Sequence, residues 1–212
     1  VSLSAQPLTK PNGAPMDFQH VDSTAPAGGD GSKTNPYNTL ADAAAAALVG
    51  DSIHPIRDSV FVAESITLQP GQQLIGESDL PTGNTVATQF GPADLPAGSG
   101  GTNPAQISAA PGPAAITLAA DTTVTNIDII NPAGAGIVGS GFVGNVTIDA
   151  VEIQGAAGIG ISLNGITGNT QISNTTILNS GGDGLAAIST VGDLDIDQLL
   201  IQGAGDDGID FA

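Results

Sequence analysis

The sequence predicts an all-β chain wound as a right-handed parallel β-helix, a solenoid with a short N-terminal capping α-helix. Three observations carry this. Gly136-Ile137, Gly158-Ile159, Gly184-Leu185 and Gly208-Ile209 recur at spacings of 22, 26 and 24 residues. Apolar residues return in step, as Val124, Val146, Ile172 and Leu194, and again six or seven positions later as Ile130, Ile153, Leu178 and Ile201. The runs between the glycines are short, rich in β-branched residues and without helical spacing. A period of about 20–30 residues marks a solenoid, and strands of this length make it a parallel β-helix.

An amide follows each of the second apolar positions: Asn131, Gln154, Asn179 and Gln202. In register, these would stack at one corner about 4.8 Å apart and hydrogen-bond along the axis. The expectation is one column of Val124, Val146, Ile172 and Leu194 inside, and one amide column near a corner.

From the N-terminus, residues 1–16 read as an extended tail or linker punctuated by Pro7, Pro11 and Pro15, and residues 17–212 as a single β-helix domain. Residues 17–22 form a candidate first strand, and 25–35 a glycine-rich loop. The stretch 39–49 (TLADAAAAALV) is the one convincing helix, with Thr39 and Asp42 as a capping box and Gly50 as the stop. A short apolar helix before a solenoid covers the open end of its first coil. Strands are expected over 59–62, 66–68 and 73–75. Ile66-Thr67-Leu68 returns fifty residues later as Ile116-Thr117-Leu118, which reads as two periods. The intervening coil then lies within 76–113, decorated by a protruding loop at 91–102. Regular coils fill 114–212, and the last ends uncapped, giving six or seven in all.

Composition narrows the function. The formal charge is -18, with ten acids and three bases in residues 1–106 and eleven acids and no base in 107–212. Such a surface repels nucleic acid and anionic lipid and offers no basic groove for polyanionic sugars. With 40% hydrophobic residues the chain can bury a core, but five Phe, one Tyr and no Trp leave the filling to aliphatic side chains. Cysteine is absent, which a continuous solenoid core tolerates. No apolar run approaches membrane-spanning length, so no membrane insertion is expected of this segment. The chain starts at Val1 and the coil opened at Gly208 stops at Ala212, which reads as a fragment of something longer.

Gly29-Asp30-Gly31-Ser32, Asn35-Pro36-Tyr37-Asn38-Thr39-Leu40, Gly50-Asp51 and Pro70-Gly71-Gln72-Gln73-Leu74-Ile75-Gly76 together resemble the opening of bacterial surface β-helix proteins. The likeness is to regions associated with inverse autotransporters, within the broad pectate-lyase-like superfamily. It implies the β-helix fold and a place at the bacterial cell surface or outside the cell. It implies little about chemistry, since that superfamily mixes lyases, hydrolases, adhesins and structural passengers.

Candidate chemistry is sparse. Lyases of that superfamily use an Arg or Lys base, and Arg57 is the last basic residue here. Gly205-Asp206-Asp207-Gly208-Ile209-Asp210 resembles acidic motifs of polygalacturonase-like hydrolases, without their His- and Arg/Lys-bearing motifs. Asp183 and Asp207 each precede a landmark glycine, so they should sit on adjacent rungs of one corner. With Asp206 and Asp210 they are calcium candidates, because Ca²⁺ takes six to eight oxygens flexibly; solvated corner acids are the alternative. Asp193, Asp195 and Asp197 alternate along one strand and should face solvent, with Leu194 and Ile196 inward. Asp30 reads as a turn residue. His20 and His54 have no thiol or clustered acid beside them in sequence, and no zinc site or catalytic residue is assigned.

The reading is a non-catalytic structural or adhesive segment of a larger bacterial cell-surface or secreted protein. Its partners would be a host or neighbouring cell surface, a glycan, or a second chain meeting the open last coil. A polysaccharide-active enzyme lacking part of its site, and a self-assembling filament subunit, are the alternatives.

Overall fold

The computed structural model describes residues 9–10, 13–77, 101–189 and 192–212, and the backbone of Thr85–Thr88 and Gly91–Asp94. The chain is a parallel β-solenoid of about six turns. β1 (Phe18–Val21) lies on top, followed by α1 (Leu40–Ala46). The first full coil is β2 (Ser52–Pro55), β3 (Val60–Val62) and β4 (Ile66–Thr67). The second begins with β5 (Gln73–Ile75) and carries an antiparallel hairpin, β6 (Thr85–Thr88) and β7 (Gly91–Asp94), before β8 (Ala105–Ser108) and β9 (Ala114–Thr117). Four regular coils follow: β10 (Thr122–Ile130) with β11 (Ala135–Ser140), β12 (Val146–Gln154) with β13 (Ile161–Asn164), β14 (Thr170–Leu178) with β15 (Leu185–Ile188), and β16 (Leu194–Gln202) with β17 (Ile209–Phe211).

Each nine-residue strand bends at one residue of positive φ: Asn126, Ala150, Asn174 and Gln198, at 55°, 51°, 47° and 56°. The bend divides the first sheet into two limbs. Limb A runs β1-β2-β5 and the first halves of the long strands; limb B runs β3-β8 and their second halves. The third side is the sheet β4-β9-β11-β13-β15-β17. The extra residue at the bend reverses the inward parity, so Thr122 and Val124 point inward before it and Ile127 and Ile129 after it. Strict alternation is therefore broken within each strand, although each half alternates.

Three apolar columns run the length of the core, one per side. Limb A stacks Ile53, Leu74, Val124, Ile148, Ile172 and Ile196. Limb B stacks Phe61, Ile107, Ile129, Ile153, Ile177 and Ile201. The third side stacks Ile66, Ile116, Ile137, Ile161, Leu185 and Ile209. All but the last member of each column are buried, each contributing about 1.5–3 kcal/mol by removal from water.

These pairings correct the predicted register. The regular coils repeat every 24 residues: Gly136, Gly160 and Gly184 precede the paired Ile137, Ile161 and Leu185, so the landmark glycine of the second coil is Gly160 rather than Gly158. Val146 and Leu194 align with Thr122 and Thr170, two residues before Val124 and Ile172. All four face the core, but in two columns rather than one.

The amide column does not form either. Gln154 and Gln202 align with Ile130 and Leu178. The corner position after them is held by Asn131, Gly155, Asn179 and Gly203, all at positive φ. That backbone favours Asn and Gly. A Cβ on Gly155 or Gly203 would collide with the Asn131 or Asn179 side chain of the rung beside it, so the two residue types alternate here from crowding as well as from backbone conformation.

Other expectations are also revised. Ile66 pairs directly with Ile116, and Leu74 with Val124. The fifty residues between them are thus one coil with an insertion at the bend, not two coils. Part of the expected loop at 91–102 is the strand β7; residues 95–100 lie outside the described residues. The helix stops at Ala46, because Ala47 is extended (φ -68°, ψ 134°), and Leu48 and Val49 are exposed. Thr39 caps it as expected, accepting the Asp42 N–H at 3.0 Å. Leu40 and Ala43 bury the helix in the core cluster, packed against β1 and β4. Within the expected tail, Lys10 is buried in an ion pair with Asp51 (Nζ to Oδ1 2.6 Å), and Met16 is buried as well.

Candidate functional site

The acidic corner sits where limb B hands over to the third side. Gly160 and Gly184 N–H groups donate to the Asp183 and Asp207 carbonyls, which sets these two acids on adjacent rungs. The Asp207 N–H then donates to Asp183 Oδ1 at 3.1 Å. One carboxylate oxygen from each of Asp183, Asp206 and Asp207 lies within 4.8 Å of the others. Asp210, the fourth calcium candidate, is in β17 opposite Ala186 and does not join them. Three carboxylates form a hard oxygen set of the type Ca²⁺ accepts, with carbonyls and water completing the shell. Asp206 and Asp207 are exposed, a setting in which solvent alone also screens such acids.

A second carboxylate pair lies on the outer face of limb B. Register puts Val60, Gln106, Asp128, Glu152, Thr176 and Leu200 in one outward column. Asp128 and Glu152 therefore project side by side, about 4.8 Å apart at the backbone. Partial burial, with a smaller push from the Glu152 charge, raises the Asp128 carboxyl to a pKa of about 6. Beside Asp128 is a cavity of about 340 Å³, lined by Asp58, Val60, Asn103, Pro104 and Gln106. Its far wall is fixed: Asp58 accepts the Thr102 and Asn103 N–H groups at 3.1 and 3.0 Å and the Asn103 amide at 2.9 Å. These bonds hold the Asp58 carboxyl below its ordinary value. A carboxyl near neutrality beside a second carboxylate is the arrangement general acid–base chemistry uses.

The corner between the third side and limb A carries a side-chain ladder with true 24-residue spacing. Asn145 N–H donates to Asp121 Oδ1 at 2.9 Å, and Asn169 N–H to Asn145 Oδ1 at 3.0 Å. Two cavities, of about 500 and 400 Å³, meet there and share Asn145 and Thr147, forming a groove of mixed polar and apolar lining along the axis. Asp193 and Asp195 line its far end, exposed with Asp197 on the strand whose Leu194 and Ile196 turn inward.

Near the first coil, β1 and β2 pair His20 with His54. Their rings meet edge to face, 5.3 Å between centroids. His54 is buried with no partner for Nδ1 among the described residues, and burial lowers its pKa to about 4. Burial also lowers that of His20, with Lys33 adding to the effect. The nearby Glu77 carboxylate accepts the Arg57 N–H at 3.1 Å. Among the described residues these groups do not form a metal-ligand cluster. Asp30 is a turn residue, accepting the Ser32 N–H at 3.0 Å.

Sequence reasoning found the acidic corner and missed Asp128 with Glu152 and His20 with His54. The first pair had a usable signal, since the two acids lie 24 residues apart within equivalent strands. The second had none, because β1 and β2 are separated by a loop and a helix.

A scan against protein-family models finds no match, and a search of curated proteins finds none. Among solved structures the chain is similar to a GH136 lacto-N-biosidase from Eubacterium ramulus, at 13% identity and a TM-score of 0.41, over 82% of this chain and 43% of that one. It is also similar to a rhamnogalacturonan lyase, at 10% identity and a TM-score of 0.47, over 92% of this chain and 61% of that one. The chain thus spans less than two thirds of either protein, and the likeness is one of fold.

Proposed function

We propose that this chain is a non-catalytic structural or adhesive segment of a larger bacterial cell-surface or extracellular protein, akin to the β-helix regions of inverse autotransporters. The observation that supports it best is the outer face of limb B. There Val60 and Val62 stand side by side in β3, 42% and 64% exposed, on a sheet backed by six-deep apolar columns. Neighbouring exposed aliphatic side chains on a well-packed sheet suit contact with a partner. The test is adhesion of beads coated with the chain to cells: wild type should adhere, and a Val60→Ser/Val62→Ser variant should adhere less. Equal adhesion by both refutes the assignment to this face.

One observation favours a second reading, a polysaccharide-active enzyme: the Asp128 carboxyl, raised to about 6, beside Glu152. In that reading Asp128 is the general acid and Glu152 its carboxylate partner. Release of reducing ends from a neutral polysaccharide, lost in Asp128→Asn, would select it over the adhesive one.

A further inference from the structure

We propose that the outer face of limb B docks a partner segment that is both aliphatic and cationic, with an Arg or Lys side chain seated over Asp128 and Glu152. This rests on the adhesive reading and specifies the partner's chemistry.

The face consists of two outward columns. One is Val60, Gln106, Asp128, Glu152, Thr176 and Leu200; beside it run Val62, Ser108, Ile130, Gln154, Leu178 and Gln202. Its aliphatic residues lie toward the ends and along the second column, while its two charges lie together in the middle and have the same sign. Among the described residues neither Asp128 nor Glu152 has a hydrogen bond or an ion pair, whereas Asp58 nearby accepts three hydrogen bonds. Two adjacent, half-buried carboxylates without a counter-charge are electrostatically unfavourable, and a bound cation removes that cost.

The site accepts a side chain better than a bare ion. The cavity beside Asp128 has room for a cationic head, with Gln106 on its wall. The aliphatic stem of Lys or Arg would lie along Ile130 while its head reaches the carboxylates. A planar guanidinium can donate to two carboxylates at once, which favours Arg. Charge complementarity also excludes other occupants: an anionic partner is repelled, and a neutral glycan leaves the pair uncompensated. A second copy of this chain is a poor donor. Of its three basic residues, Lys10 is paired with Asp51 and Arg57 is buried, which leaves Lys33.

The probe is a short blocked peptide of alternating Val and Arg, compared with Val–Ser and Gly–Arg peptides, titrated by calorimetry at physiological salt. Only Val–Arg should bind well. Asp128→Asn/Glu152→Gln should weaken it by about tenfold or more. Asp195→Asn/Asp197→Asn, which removes equal charge from limb A, should change it less than about twofold. All four positions point outward, so folding is retained and is checked by circular dichroism. Equal weakening by both double variants would mean nonspecific attraction to an acidic protein and would overturn the proposal. So would an Asp128 carboxyl titration, followed by carbon NMR, whose midpoint does not fall when the peptide is added. Binding of a neutral glycan in place of the peptide would overturn it too. Polysaccharide turnover by the wild type refutes the adhesive reading whatever the peptide does, so the two failures are distinguishable.

Discussion

Gly160→Ala tests the stacking of the coils directly. A Cβ built on Gly160 would lie 2.5 Å from the Gly184 carbonyl oxygen and 2.5 Å from Ile177 Cγ2. Neither can retreat easily: the Gly184 oxygen accepts the Ile161 N–H at 2.9 Å, and Ile177 is buried in the limb B column. Overpacking and a stretched rung hydrogen bond together should cost about 2–4 kcal/mol. For a chain of this length that lowers the melting temperature by about 5–15 °C. Two controls share the chemistry but not the cause. Gly208 stands in the same column with nothing within 4 Å of its Cβ position, so Gly208→Ala should be neutral within about 0.5 kcal/mol. Gly165 has φ +63° and no atom nearer than 3.9 Å, so Gly165→Ala should cost only the backbone strain, about 1–2 kcal/mol. Urea and thermal melts by circular dichroism rank the three. Equal loss at Gly160 and Gly208, or a larger loss at Gly165 than at Gly160, would refute the rung crowding on which the 24-residue register depends.

Ile172→Ala should cost about 2–5 kcal/mol, and Ile196→Ala clearly less, because Ile172 is fully buried and Ile196 only partly so; similar urea midpoints would contradict the column assignment. At the corner, Asn179→Val should destabilise by more than about 1–2 kcal/mol at φ +56°, while Asn179→Gly stays within a few tenths; a tolerated valine would count against the backbone assignment. His54 has a folded pKa lowered to about 4 from 6.5, so the unfolded chain takes up its proton first and stability falls as pH drops between those values, by about 3 kcal/mol in full. Asp128, raised to about 6, has the opposite sign and gains stability as pH falls from about 6, by a smaller amount because solvent reaches it. Urea midpoints against pH should therefore be steeper on the acid side for Asp128→Asn and flatter for His54→Gln; identical slopes would refute the burial argument. If Asp183, Asp206 and Asp207 hold calcium, millimolar Ca²⁺ should raise the melting temperature and Asp207→Asn should abolish the rise, whereas an indifferent melting curve leaves them as solvated acids.

The fold was legible because solenoid coils write the same instructions repeatedly. Glycine landmarks, β-branched runs and a period near 24 identify a stack of short parallel strands without reference to any distant contact. The capping box at Thr39 and the pairing of Asp183 with Asp207 on adjacent rungs were local or once-per-coil features, and they are found where the pattern put them.

The sequence by itself determined the class of fold and the direction of the acid bias. Only the tertiary structure decided the rung. Side-chain direction in a strand repeats every two residues, so moving Gly158 to Gly160, or aligning Val146 with Thr122 instead of Val124, leaves Val124, Val146, Ile172 and Leu194 all facing inward. That slip is silent in the apolar pattern. It is resolved by contacts between coils: the crowding that admits no Cβ at Gly160, and the Asn131 side chain lying against Gly155. The same distinction explains the sites. Asp128 meets Glu152, and His20 meets His54, through backbone register across rungs, and register is a property of the stacked chain rather than of any one strand.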